Sequence, residues 1–161
     1  MRRAYITAGL VFALDQATKY AVVHGLGLAQ RLAVDVFPPY LNFRMAWNTG
    51  VNFGLFASDV EVMRWVLVAV ALAVSVWVWF WARSEVRAAG GHAPRVELSA
   101  GLLVGGALGN VIDRLIYGAV ADFINMSCCG FRNPFSFNIA DASIFLGAVG
   151  LVIFTGAKKT P

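Results

Sequence analysis

Gly101-Leu102-Leu103-Val104-Gly105-Gly106-Ala107-Leu108-Gly109-Asn110 threads small residues through an apolar run and ends on an amide. Small residues at this density let helix backbones approach closely, which is how helices associate inside a bilayer. The run belongs to an apolar span at 98–117, and three further spans lie at 4–23, 62–82 and 139–157. Each is near the roughly 20 residues needed to cross a bilayer core. Composition agrees, because the 161 residues are 59% hydrophobic and only 14% charged, with a mean hydropathy of +0.69. That leaves too little polar surface for an ordinary soluble domain. The reading is one mainly α-helical integral membrane domain, 1–161, with four transmembrane helices.

Four spans place both termini on one side. Arg2, Arg3, Arg83, Arg87, Arg95, Lys158 and Lys159 fall at the N-terminus, the second connection and the C-terminus, which the positive-inside rule assigns to the cytoplasm. The outward connections are then 24–61 and 118–138, although Arg31, Arg44, Arg64, Arg114 and Arg132 on or near that side make the bias modest. A net charge of +4 concentrated beside apolar spans is no nucleic-acid footprint. Arg2 and Arg3 before an apolar run also suit a cleaved signal peptide, but Asp15 and Lys19 inside the run are foreign to the apolar core of one. Four residues apart, they share a helix face with the acid on the N-terminal side. Two roles are open: they neutralise each other and hold the bundle, or the pair faces a site and positions a third group.

In the first outward connection Leu41, Phe43, Met45 and Trp47 alternate with Asn42, Arg44, Ala46 and Asn48, the period of a strand with one apolar face. Arg31 to Val36 is a shorter version. A small outward-facing β-sheet on the membrane surface is expected. The following Asn48-Thr49-Gly50-Val51-Asn52-Phe53-Gly54-Leu55-Phe56 supplies two glycines and two amides. It reads either as a turn or as a substrate-facing loop.

At the outer end of the third span, Asn110, Asp113 and Arg114 crowd polar groups onto one helix. Asp122 follows in Val120-Ala121-Asp122-Phe123, and Asp141 closes Phe137-Asn138-Ile139-Ala140-Asp141. Asn138 with an acid three residues on resembles a helix N-cap and its reciprocal partner, which alone would account for Asp141. Asp122 changes that, because a second carboxylate at a membrane boundary is costly and needs its own explanation. Two close carboxylates cannot both ionise cheaply, so the pair carries one proton. Its ionised member can take a proton from an attacking water while the protonated one hydrogen-bonds a peptide carbonyl. The rival is a small proton-coupled membrane transporter, which would favour acids near the bilayer midplane on several helices. A subunit using polar groups only for helix pairing is a third option.

The chain resembles signal peptidase II, the bacterial lipoprotein signal peptidase. The resemblance runs through Asp15-Gln16-Ala17-Thr18-Lys19, Asn48-Thr49-Gly50 with Phe53-Gly54, Gly106-Ala107-Leu108-Gly109-Asn110 with Asp113-Arg114, Val120-Ala121-Asp122-Phe123 and Phe137-Asn138-Ile139-Ala140-Asp141. It implies an aspartic endopeptidase of the bacterial inner membrane that cleaves signal peptides from diacylglyceryl-modified prolipoproteins just before the lipidated cysteine. It implies Asp122 and Asp141 as the catalytic pair, with Asp15, Asn48, Asn110, Arg114 and Asn138 supporting and Lys19 and Asp113 structural. A β-cradle, a mobile outer segment over the site and inhibition by the cyclic lipopeptide globomycin are further implications. Asn52 stands where a small apolar residue is more usual in the family, and Ala142-Ser143 reverses a common order.

No cofactor is expected. His24 and His92 lack ligand-spaced neighbours, so no metal site is proposed. Ser136 and Ser143 have no nearby histidine base in the sequence. Cys128 and Cys129 are adjacent, unlike the spaced pair of a thiol oxidoreductase.

Overall fold

A computed structural model describes residues 1–50, 60–88 and 93–155. Four long helices and a three-stranded sheet account for most of it: α1 (Arg2–Lys19), the short α2 (Leu28–Arg31), β1 (Ala33–Phe37), β2 (Leu41–Asn48), α3 (Val60–Ala88), α4 (Ala93–Tyr117), β3 (Val120–Met126) and α5 (Ile139–Thr155). A π-helical stretch, Tyr20–Gly25, prolongs α1. By length and hydropathy, Glu61–Arg87 and Ala93–Tyr117 are each able to cross a membrane, and Ile139–Thr155 is a shorter apolar helix. Helix α1 carries Arg2, Arg3, Asp15 and Lys19, which dilute its apolar character.

Helix α4 is central and packs against α1, α3 and α5. The most apolar stretch of α4 is 72% buried, against 22% for that of α3, so α3 lies at the periphery. The glycine-rich run explains how α4 reaches two neighbours at once. A Cβ on Gly105 would sit 2.6 Å from the Ala8 carbonyl oxygen of α1, and one on Gly106 would sit 2.5 Å from the Ala140 carbonyl oxygen of α5. Both contacts are with backbone that cannot swing aside, so the packing reading of the run holds. Val78, Ala82, Val96, Ala100, Leu103, Val104 and Leu151 fill the core where α3, α4 and α5 meet.

The sheet is antiparallel in the order β1-β2-β3. The expected strand over Leu41–Asn48 is present, and its apolar face is only partly as the alternation predicts. Phe43 and Met45 pack on a cluster of Val22, Leu28 and Phe123, with Phe43 edge-on to Phe123. A bulge between Phe43 and Ala46 then shifts the register and breaks the period of two. Trp47 is left 43% exposed, leaning on Tyr117, and the most buried residue of the strand is the polar Asn42.

Strand β3 departs from the sequence reading, in which 118–138 is a plain connection. All of Val120 to Phe123 is buried, and such a segment lacks the alternation that marks a half-exposed strand. Phe137 bridges antiparallel to Ile124 and covers part of the outer edge of β3. Cys128 and Cys129 form an exposed turn beyond β3, both as free thiols. Residues 51–56 of the candidate substrate-facing loop, with Phe53 and Phe56, lie outside the described residues, as do His92, Lys158 and Lys159.

Candidate active site

Asp122 sits on β3 opposite Ala46, and Asp141 lies in the first turn of α5. Three asparagines join them. Asn48 at the end of β2 donates its Nδ2 to Asp122 Oδ2 at 3.0 Å. Asn138, fully enclosed, donates its Nδ2 to Asp122 Oδ1 at 2.7 Å and to Asn110 Oδ1 at 3.2 Å. Asn110 of α4 in turn donates its Nδ2 to Asp141 Oδ1 at 2.8 Å.

Each amide is held in one orientation by a partner that can act in only one way. Asn48 Oδ1 accepts the Gly50 N–H at 2.9 Å in an Asx turn, which leaves its NH₂ for Asp122. Asn138 Oδ1 accepts the Asp141 N–H at 2.8 Å as the helix cap, which turns its NH₂ the other way, toward Asp122. Asn110 Oδ1 accepts from Lys19 Nζ at 3.1 Å, and an ammonium only donates, so its NH₂ faces Asp141. The capping interpretation of Asp141 is therefore one half of its geometry. Asp141 Oδ2 accepts the Asn138 N–H at 3.3 Å, completing the capping box, while Oδ1 is left to Asn110.

Behind these residues lies a buried charge cluster. Lys19 Nζ is 2.8 Å from Asp15 Oδ2 and 2.8 Å from Asp113 Oδ2. Each carboxylate grips the backbone immediately before one of the two acids. Asp113 Oδ2 accepts the Ala121 N–H at 3.1 Å, and Asp15 Oδ1 accepts the Ala140 N–H at 3.0 Å. One lysine thus ties together the two anchors that locate Asp122 and Asp141.

The electrostatics separate Asp122 from an ordinary carboxyl. Burial, and then the charge of Asp141, push it up to about 7, although the amides of Asn48 and Asn138 and the charge of Lys19 act in the opposite direction. Arg114 is half-buried on α4. Its Nη1 donates to the Asn110 carbonyl at 3.4 Å, and its charge is felt by Asp122, Asp141 and Asp113 without a close ion pair to any of them among the described residues.

A model of the signal peptidase (SPase) II family matches residues 7–156. The chain belongs to the signal peptidase II family. Two of its relatives are the lipoprotein signal peptidases of Methylorubrum extorquens (strain PA1), 42% identical over 94% of this chain and 84% of that protein, and of Methylobacterium sp. (strain 4-46), 40% identical over 92% and 86%. Two solved structures described as bacterial membrane enzymes share the fold. One aligns with a TM-score of 0.75 at 25% identity over 99% of this chain and 96% of the other, and the second with 0.70 at 23% over 100% and 94%.

In this signal peptidase II chain, Asn48, Asn110, Asp122, Asn138 and Asp141 form one hydrogen-bonded group, and Asp15 stands one step behind them. Arg114 is beside the group through space. Gln16 does not stand out in the sequence, yet its Nε2 donates to Asp15 Oδ2, Asp113 Oδ1 and the Gly109 carbonyl at 3.0–3.3 Å. Its place beside Asp15 in a matched motif is the one signal for it. Of the two roles open to Lys19, the geometry combines both: it neutralises buried acids and orients Asn110. Asp122, on the strand that follows α4, and Asp141, in the first turn of α5, lie at helix ends, whereas the transporter reading favours acids midway along the helices.

Proposed function

We propose that this chain is an aspartic endopeptidase of the bacterial inner membrane that removes signal peptides from diacylglyceryl-modified prolipoproteins, cutting before the lipidated cysteine. All four long helices cross the membrane in this reading, with both termini cytoplasmic and the site near the outer face. The observation that carries the chemistry is Asp122, raised to about 7 beside Asp141 and joined to it through Asn138 and Asn110.

The raised carboxyl is the member that holds a proton near neutral pH. Asp122 hydrogen-bonds the scissile carbonyl oxygen, and Asp141 takes a proton from the water that attacks the carbonyl carbon. Asp122 gives its proton to the carbonyl oxygen as the tetrahedral diol forms; on collapse Asp141 passes its proton to the leaving amine as the C–N bond breaks, and a diol hydroxyl returns a proton to Asp122, which restores the singly protonated pair. Asn48, Asn110 and Asn138 keep both carboxyls in place through these transfers, and the Arg114 charge offsets part of the negative charge gathered there. Binding of globomycin at this site follows from the same reading.

The test is cleavage of a diacylglyceryl-modified precursor peptide by the purified protein and by Asp122→Asn and Asp141→Asn. Both variants are expected to be inserted and folded but inactive, because an amide can neither take nor give the proton. Substantial turnover by either one overturns the assignment. Were Asp141 only a cap, asparagine would serve there almost as well.

A further inference from the structure

On the sheet, a cavity of about 530 Å³ runs from the β1–β2 hairpin toward the dyad, between β2 and the segment that follows β3. Of the β2 residues that line it, Ala46 is the one paired with Asp122. Its walls are tied in place: Ser136 Oγ donates to the Arg44 carbonyl at 2.9 Å, and Asn125 Nδ2 donates to the carbonyls of Asn133 and Phe135 at 2.9 and 2.8 Å.

Two features of the lining ask for an occupant. Asn42 is 7% exposed and spends its Nδ2 on the Pro39 carbonyl at 3.1 Å, while its buried Oδ1 has no partner among the described residues. A buried acceptor without a donor is costly and uncommon. Of the two cations lining the cavity, Arg44 is paired with Asp35 at 2.5 Å. Arg132 is exposed and makes no ion pair among the described residues, so the cavity carries a net positive charge.

We infer that this groove binds the polypeptide downstream of the scissile bond, in extended form, and favours an acidic over a basic side chain there. The inference rests on the proposed endopeptidase reading. The segment upstream of the cut is an apolar signal sequence that belongs in lipid, whereas the polar lining of this groove is amides, the hydroxyls of Ser127 and Ser136, two arginines and Asp35. The chain leaving the dyad outward is the one with polar surroundings to meet. Because of the bulge, Ala46 and Asn42 face Asp122 and Asn125, which are three strand residues apart, about 10 Å, so Asn42 Oδ1 accepts a backbone N–H about three residues past the cut, and Arg132 meets the side chains of that region.

The experiment uses the full chain in bilayers with diacylglyceryl peptides that either end one residue after the cysteine or extend eight residues beyond it, the longer ones carrying Asp or Lys at the third to fifth positions. The extended neutral peptide is expected to show kcat/KM about tenfold above the short one, mostly through KM. Asp peptides are expected to exceed Lys peptides about three- to fivefold at low salt, and Arg132→Glu is expected to reverse that ratio within a single enzyme preparation. Equal kcat/KM for short and extended peptides, or a charge ratio that Arg132→Glu leaves unchanged, overturns the groove assignment while leaving the endopeptidase reading intact. Failure to cleave any lipidated peptide overturns both.

Discussion

Asp122 owes its raised pKa first to burial and then to Asp141, and the amides that contact it oppose the shift without cancelling it. The sign of the pH dependence follows. Below about 7 Asp122 holds the proton that the proposed mechanism needs, and above it the proton is lost, so kcat is expected to fall as pH rises through that value. Removing the Asn48 donor with Asn48→Ala takes away a contact that favours the ionised form, which moves this alkaline limb upward. A kcat profile flat to pH 9, or a limb shifted down in the variant, contradicts the role given to Asp122. Lys19 is a second residue with a clear expectation. Lys19→Met leaves Asp15 and Asp113 as neighbouring buried acids without their cation, and breaking such a pair costs about 3–5 kcal/mol. A large drop in Tm in detergent is expected, with loss of cleavage because Asn110 is freed to turn. An unchanged Tm would show that the cluster is not held by its charges.

At the scale of elements, the site depends on how closely α4 approaches α1 and α5. Gly106 touches the carbonyl of Ala140, the residue immediately before Asp141, so a methyl there pushes on the backbone that carries one member of the pair. Gly106→Ala is expected to destabilise the protein by about 1–3 kcal/mol and to reduce kcat by displacing the start of α5. Gly9→Ala is the control, because a Cβ at Gly9 meets nothing within 4 Å. There the usual helix preference for alanine makes the substitution neutral or stabilising by about 0.5–1 kcal/mol. Equal effects from the two substitutions would mean that close approach at Gly106 does not matter. The small-residue run is legible in the sequence as a packing signal, since its pattern is local. Strand β3 is not, because burial on both faces removes the alternation by which a strand is recognised, and the bulge in β2 hides part of the apolar face next to it.

For the whole molecule, β2, α4, β3 and α5 each contribute at least one residue to the cluster around the pair. A site assembled from so many parts demands that the substrate arrive in register. Each methylene taken out of water contributes about 0.8 kcal/mol, but acyl chains already in lipid gain little by moving to an apolar protein surface. In the proposed reaction the diacylglyceryl group is expected to act by setting depth, placing the scissile peptide at the pair, where about 1 Å of misalignment costs on the order of a hundredfold in rate. An otherwise identical peptide without the lipid is expected to be cleaved poorly or not at all. Equal kcat/KM for the two in the same bilayer would remove this account.

Three things can be read from the order of amino acids alone: that the chain is rich in apolar helices, where those helices lie to within several residues, and which polar residues are out of place among them. These are local properties, for a span is a run of neighbours, and Asp15, Asn110, Asp122 and Asp141 stand out against the apolar residues beside them. Three others arise only in the folded chain: which way each amide points, that Asp15 and Asp113 hold the backbone before each acid, and that Asp122 is pushed to about 7. The bond from Ala140 to Asp15 joins residues 125 positions apart, and that from Ala121 to Asp113 joins a strand to a helix. Neither leaves a periodic trace in the sequence, because a hydrogen bond or a desolvated charge depends on distance in space and on what excludes water, and both exist only once the helices have packed.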